Sequence, residues 1–175
     1  CLLSKVQERN PGLSREKLEI ILSESLNVKN FIWLNKGIVG DDTHGHIDDL
    51  CRFVNDDTIV TIVELDKNDN NYKPLQDNLK RLQEAKLENG KSPKIVQLPM
   101  PKRLDFDGLR LPLSYANFLI LNQSVLVPTF NDANDRIALN ILADCFPDRE
   151  IIGISAVDLI WGFGTLHCLS QQIPA

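Results

Sequence analysis

The chain has 175 residues, with 19 Lys and Arg against 24 Asp and Glu, for a net charge of -5. That balance offers no surface for tracking phosphates and argues against nucleic acid as a partner, while mildly favouring a cationic ligand. The composition, 43% hydrophobic with 9 Gly and 9 Pro, is that of a globular protein. No apolar run reaches the roughly 18–20 residues a membrane span requires.

The elements follow in chain order. After the turn signal Pro11-Gly12, a helix is expected from Ser14 to about Leu26. Ser14 is its cap, and Leu18, Ile21, Leu22 and Leu26 share one face. A short strand is expected at Phe31-Ile32-Trp33. Beyond a Gly- and Asp-rich loop, Ile47–Val54 and Thr58–Val63 read as a hairpin turning at Asn55-Asp56-Asp57. A second helix runs from about Asn71 to Lys86, with Pro74 in its first turn and Tyr72, Leu75, Leu79 and Leu82 in its apolar stripe. A strand at Lys94–Leu98 follows. The order then recurs: a hairpin of Tyr115–Leu121 and Ser124–Pro128, a helix from about Ala133 to Cys145 capped by Asp132, and a strand at Glu150–Ile154. In that helix Ile137, Ala138, Ile141 and Leu142 are expected to face inward. The unit is hairpin, helix, strand. The opening helix and strand look like the tail of an earlier unit, and Thr165–Gln171 like the start of a later one. An α/β chain of ββαβ repeats suggests modules around an axis rather than one wound sheet.

The only methionine is Met100 and the chain opens Cys1-Leu2-Leu3, so it reads as a piece of something longer. The opening also lacks the basic-then-apolar pattern of a signal peptide. Four cysteines without a CxxC pair read as reduced thiols, which places the protein in the cytoplasm. Cys51 and Cys145 lie in apolar stretches and read as buried small hydrophobes.

Cys168 differs. It follows the glycine-spaced Trp161-Gly162-Phe163-Gly164 and is flanked by His167, Ser170, Gln171 and Gln172, unusual company for a core thiol. A thiolate there is a candidate nucleophile; the alternative is an inert buried cysteine. Upstream, Gly40-Asp41-Asp42-Thr43-His44-Gly45-His46-Ile47-Asp48-Asp49 supplies imidazoles and carboxylates. If Ile47 begins a strand, alternation puts His46 and Asp48 on one face with Ile47 in the core. A solvated acidic loop and a divalent-metal loop are the other readings of this segment. If Thr165–Gln171 is a strand, His167 points away from Cys168, which makes His46 the preferred partner. A metal-binding module of His44, His46, His167 and Cys168 is a further alternative.

Together these motifs resemble a known family. Gly-Asp-Asp-Thr-His-Gly-His-Ile-Asp, followed near the end by Gly-x-Gly-Thr-Leu-His-Cys-x-Ser-Gln-Gln-x-Pro, is similar to agmatine deiminase, which is grouped with the Porphyromonas-type peptidylarginine deiminases. The similarity continues in Arg9-Asn10-Pro11, in Leu111-Pro112-Leu113-Ser114-Tyr115-Ala116-Asn117-Phe118 and in Val127-Pro128-Thr129-Phe130-Asn131-Asp132. It implies about half of a five-bladed α/β propeller of the guanidino-group-modifying (pentein-like) superfamily. Residues 1–175 would then be the C-terminal part of one catalytic domain, with the N-terminal half as its missing partner. The implied reaction is hydrolysis of agmatine to N-carbamoylputrescine and ammonia, without metal or organic cofactor. By resemblance Cys168 is the nucleophile, His46 the general acid/base, and Asp48 a guanidinium-binding carboxylate. Asp42, Asn117 and Trp161 are candidate site-wall residues.

The departures from the family pattern are local. Phe163 replaces a glycine, His44 stands where aspartate is commoner, and no Arg-Asp-x-Gly-Pro motif is present to supply the family's second guanidinium-binding aspartate. The chain alone is therefore expected to turn over poorly and to expose sheet edges that favour self-association. Peptidylarginine deimination and an inactive half that serves as a structural partner are the competing readings.

Overall fold

The computed structural model describes residues 1–6 and 9–173. Pro174-Ala175 of the closing motif therefore lies outside the described residues. The first element is α1 (Arg15–Leu26), capped by Ser14, whose hydroxyl accepts from the Lys17 N–H at 3.3 Å. Only Leu18 of its expected apolar face is buried; Ile21 and Leu26 are open to solvent. A polar bond does the fastening instead, from Trp33 Nε1 to Glu19 Oε1 at 2.6 Å. The segment Phe31-Ile32-Trp33 lies outside every sheet and is not a strand. Local β-propensity gave it no partner to pair with.

Two ββαβ units follow. In the first, β1 (Cys51–Phe53) pairs antiparallel with β2 (Thr58–Val63). The helix α2 (Tyr72–Glu84) then crosses over, and β3 (Lys94–Pro99) pairs parallel with β2 over six residues. The inner strand Thr-Ile-Val-Thr-Ile-Val is buried at every position, the near-continuous pattern expected of a strand covered on both faces. Leu75, Leu79 and Leu82 of α2 are buried too. The strand expected to open at Ile47 opens at Cys51, because Ile47–Asp49 forms a 3-10 helix.

Between the units, β4 (Asp105–Phe106) and β5 (Leu109–Arg110) make a small hairpin. Its turn residues Asp107 and Gly108 both have positive φ, the requirement of a two-residue type I′ turn that Asp-Gly meets well. In the second unit, β6 (Leu119–Ile120) pairs with β7 (Ser124–Thr129), and after α3 (Ala133–Cys145) β8 (Glu150–Ser155) pairs parallel with β7. β7 tolerates the central Pro128 because β6 reaches only Val125 and Leu126, leaving that end with one neighbour. Of the inward positions expected in α3, Ala138 and Leu142 are fully buried, whereas Ile137 is half exposed. The hairpin's first arm is shorter than expected, since residues 111–118 form a buried strap across the core rather than a strand.

The strap is anchored by one carboxylate. Asp132 and Asp135 form a capping box on α3. Asp135 also accepts from the buried Tyr115 hydroxyl at 2.7 Å and from the Phe130 N–H at 3.0 Å. Asp135→Ala leaves that hydroxyl without a partner and opens the cap, so unfolding in urea is expected to lose roughly 2–4 kcal/mol. A loss below about 1 kcal/mol would show that the strap is held by packing alone. Among the described residues no helix is long and apolar enough to cross a membrane.

Candidate active site

Three segments meet at the site. The first is the loop into the 3-10 helix. Gly40 has φ +96°, and a Cβ there would lie 2.1 Å from the Arg110 carbonyl oxygen, so only glycine lets the loop cross the strap. Asp41 then closes the turn. Its carboxylate accepts from the N–H groups of Gly45 (2.7 Å), His46 (3.1 Å) and Thr43 (2.8 Å), and from the Thr43 hydroxyl. The 3-10 helix that follows turns Asp48 and Asp49 inward, to 7% and 4% exposure, and Ile47 outward, to 54%. This reverses the expected alternation, because side chains advance around a helix instead of flipping from face to face.

The second segment is the strap, which delivers Asn117 into the core; Ser114 Oγ donates to the Asp49 carbonyl at 2.9 Å. The third is a hydrogen-bonded turn carrying the cysteine, closed by Leu169 N to Thr165 O at 3.1 Å. It too was expected as a strand. It begins after Phe163, whose φ of 61° is one glycine adopts freely. Gly164 is required for another reason, since a Cβ on it would sit 2.8 Å from the Cys168 Cβ.

These segments converge on one carboxylate. Asp48 Oδ2 accepts from His167 Nδ1 at 2.7 Å, from Asn117 Nδ2 at 3.1 Å and from the Cys168 thiol at 3.2 Å. His46 Nδ1 stands 4.0 Å from the other oxygen, Asp48 Oδ1. Asn117 Nδ2 also reaches Asp49 Oδ1 at 2.9 Å and Cys168 Sγ at 3.0 Å. His167 thus faces the site beside Cys168, contrary to the strand-based expectation.

The electrostatics separate the two aspartates. Burial pushes the Asp48 carboxyl up, but hydrogen bonds from His167 and Cys168 and the nearby imidazoles more than offset this, leaving it below its ordinary value. Asp49 accepts only from the neutral Asn117 amide, which opposes its rise without offsetting it. Burial first, and then the charges of Asp48 and Asp41, raise it to about 8, so at neutral pH it is largely protonated. Burial also raises the Cys168 thiol to about 11, with the Asn117 hydrogen bond opposing and the two aspartates adding to the rise. A thiol there ionises at neutral pH only when a positive charge arrives. Cys51, as expected of a buried hydrophobe, is pushed to about 12 by burial.

Two further candidates make other contacts. The Asp42 side chain is exposed, and its backbone carbonyl faces the His44 ring nitrogen at 3.1 Å. Trp161 stacks on Phe106 with ring centroids 3.8 Å apart. The set His44, His46, His167 and Cys168 does not converge. Among the described residues, the group whose donor atoms could together hold a metal is Asp48, Asp49 and Cys168, all within 4.8 Å. Asp49 and Thr165 were not anticipated as site residues. The Asp-Asp doublet was the available signal for the first, since paired carboxylates shift one another; Thr165, whose hydroxyl donates to Asn117 Oδ1 at 2.9 Å, carried none.

Comparison with known proteins identifies the family. The family described as Porphyromonas-type peptidyl-arginine deiminase matches residues 1–174. A Legionella pneumophila (strain Paris) protein, provisionally named an agmatine deiminase, is 37% identical over 99% of this chain and 50% of its own length. The solved structure of the agmatine deiminase of Enterococcus faecalis superposes with a TM-score of 0.93 at 37% identity, covering 99% of this chain and 52% of that one. A C. jejuni agmatine deiminase with substrate bound gives 0.86 at 36% identity, over 95% and 48%. The chain therefore spans about half the length of the relatives it matches. On the span of the match and its level of identity, the chain belongs to the Porphyromonas-type peptidyl-arginine deiminase family.

Proposed function

We propose that the chain is the C-terminal half of a guanidine-hydrolysing enzyme acting on agmatine, and that its two ββαβ units belong to a five-bladed ring completed by the other half. One observation carries the chemistry: the Cys168 thiol lies 3.2 Å from a buried, ionised carboxylate with a second carboxyl alongside. A nucleophile facing negative charge is suited to a planar cation, whose carbon it attacks while the carboxylate holds the nitrogens. The arriving guanidinium also supplies the positive charge the thiol lacks.

In this reading Asp48 grips the guanidinium, the Cys168 thiol gives its proton to His46, and Sγ forms a bond to the guanidinium carbon. A C–N bond breaks, and ammonia leaves with a proton from His46. The cysteine-bound thiouronium is then attacked by water, whose proton returns to His46. The C–S bond breaks, the hydroxyl proton of the collapsing intermediate returns to the sulfur, and N-carbamoylputrescine departs. His167 fixes the orientation of Asp48. Agmatine is favoured because several relatives carry its name. Arginine within a peptide is the second reading, favoured by the description of the family. The four unpaired cysteines support a cytoplasmic location.

The test is ammonia release from agmatine and from an arginine-containing peptide, using the longest natural form of the chain. Agmatine turnover at least about 100-fold faster than the peptide's is expected. Peptide turnover at equal rate would favour the second reading, and silence with both would leave a structural half only.

A further inference from the structure

Asn117 is 1% exposed, and its side chain makes more site contacts than any role in lining a pocket requires. Its Oδ1 accepts from the N–H of His167 at 3.0 Å, from the N–H of Cys168 at 3.2 Å and from the Thr165 hydroxyl at 2.9 Å. Two of these donors are backbone N–H groups, which can only donate, so the amide cannot be flipped and Nδ2 must point at Asp48, Asp49 and Cys168. Nδ2 has two hydrogens for three acceptors. While Cys168 is a neutral thiol it donates to Asp48 Oδ2, and the amide hydrogens serve the two aspartates. Once the thiol loses its proton, the sulfur becomes the stronger acceptor, 3.0 Å from Nδ2.

We infer that Asn117 is a catalytic residue that donates its amide hydrogen to the Cys168 thiolate, while its oxygen holds the nucleophile turn in place. The same amide thereby couples the aspartate segment to the cysteine segment, 51 residues away from Asn117 in sequence. Its importance for turnover rests on Cys168 being the nucleophile, but the donation itself is read without substrate.

The two ends of the amide are separable by substitution. Asn117→Asp keeps an oxygen for the turn's N–H groups and removes the donor. Asn117→Leu removes both without adding charge. The readout is the alkylation rate of Cys168 by iodoacetamide as a function of pH, resolved from the other cysteines by peptide mass spectrometry, with circular dichroism to confirm folding. A hydrogen bond to an ion corresponds to about 1–2 pH units. Both variants are therefore expected to alkylate about 10- to 100-fold more slowly at pH 8, with the midpoint moved upward. An unchanged rate in folded Asn117→Leu overturns the inference, including when Asn117→Asp alone is slowed, because added charge would then be the cause. If Asn117→Leu does not fold, the smaller and equally uncharged Asn117→Ala takes its place and is read in the same way: a slowed rate supports the inference and an unchanged one overturns it. Loss of ammonia release with alkylation unchanged would likewise place Asn117 outside the thiolate's stabilisation.

Discussion

Replacing Cys168 with alanine is expected to reduce agmatine turnover by the longest natural form by about 10,000-fold or more, while leaving its melting temperature nearly unchanged. The rate loss follows from the proposed chemistry. Without the sulfur there is no covalent intermediate, and water must attack a resonance-stabilised cation unaided. The fold is spared because Cys168 lies at the solvent end of the cluster, and Asn117 Nδ2 retains Asp48 and Asp49 as acceptors after truncation. Cys168→Ser should be as slow yet still bind agmatine by calorimetry, since a hydroxyl can keep the bond to Asp48 but ionises far less readily than a thiol. If the alanine variant kept more than a hundredth of the wild-type rate, the nucleophile would have to be another residue.

Replacing Asp49 with asparagine is expected to stabilise the protein, by an amount that depends on pH. In the unfolded chain this carboxyl ionises near its ordinary 3.8, but in the fold burial and the Asp48 charge move it to about 8. Between those values the unfolded state carries fewer protons than the folded one, so the group destabilises the fold progressively as pH climbs from about 4 to 8. Its contribution is fully favourable only below about pH 4. Asparagine is isosteric, keeps an oxygen for Asn117 Nδ2, and does not titrate. The expected gain at pH 8 is on the order of 2–5 kcal/mol, or roughly 5 to 10 degrees in melting temperature for a chain of this size. It should vanish by pH 4. A gain that is constant with pH would mean that Asp49 is ionised in the folded state as well.

The regular elements were legible wherever burial is two-sided or a cap is strong. β2 shows it as a run of β-branched residues, Thr-Ile-Val-Thr-Ile-Val, and α3 as the Asp132 cap that placed its start near Ala133. The candidate site was legible as a set of residues and not as a geometry. His167 was placed on the wrong face because a strand was assumed. In a hydrogen-bonded turn, adjacent side chains need not oppose one another, and His167 Nδ1 and Cys168 Sγ both meet Asp48. Ile47 was placed in the core for the same reason. The nucleophile turn does not announce itself locally, since it is held by Asn117, about fifty residues away; the 3-10 turn has a local brace in Asp41 but is also tied to Ser114 of the strap. The exposed stripe of α1 marks the opposite limit, a periodic pattern with only Leu18 buried.

Asn117 also has a bearing on how the molecule loosens. Each ββαβ unit closes through pairings along a short stretch of chain, such as Thr58 with Lys94 or Ser124 with Glu150. The cluster around Asp48 joins residues 69 to 120 positions apart, and loop closure makes such contacts the slow ones to gain during folding. The nucleophile turn contributes little apolar surface of its own, so its amide protons should exchange with solvent through small local openings that leave both sheets protected. Readiness for chemistry and resistance to unfolding are therefore separate properties of this chain, and the first can be lost while the second is intact.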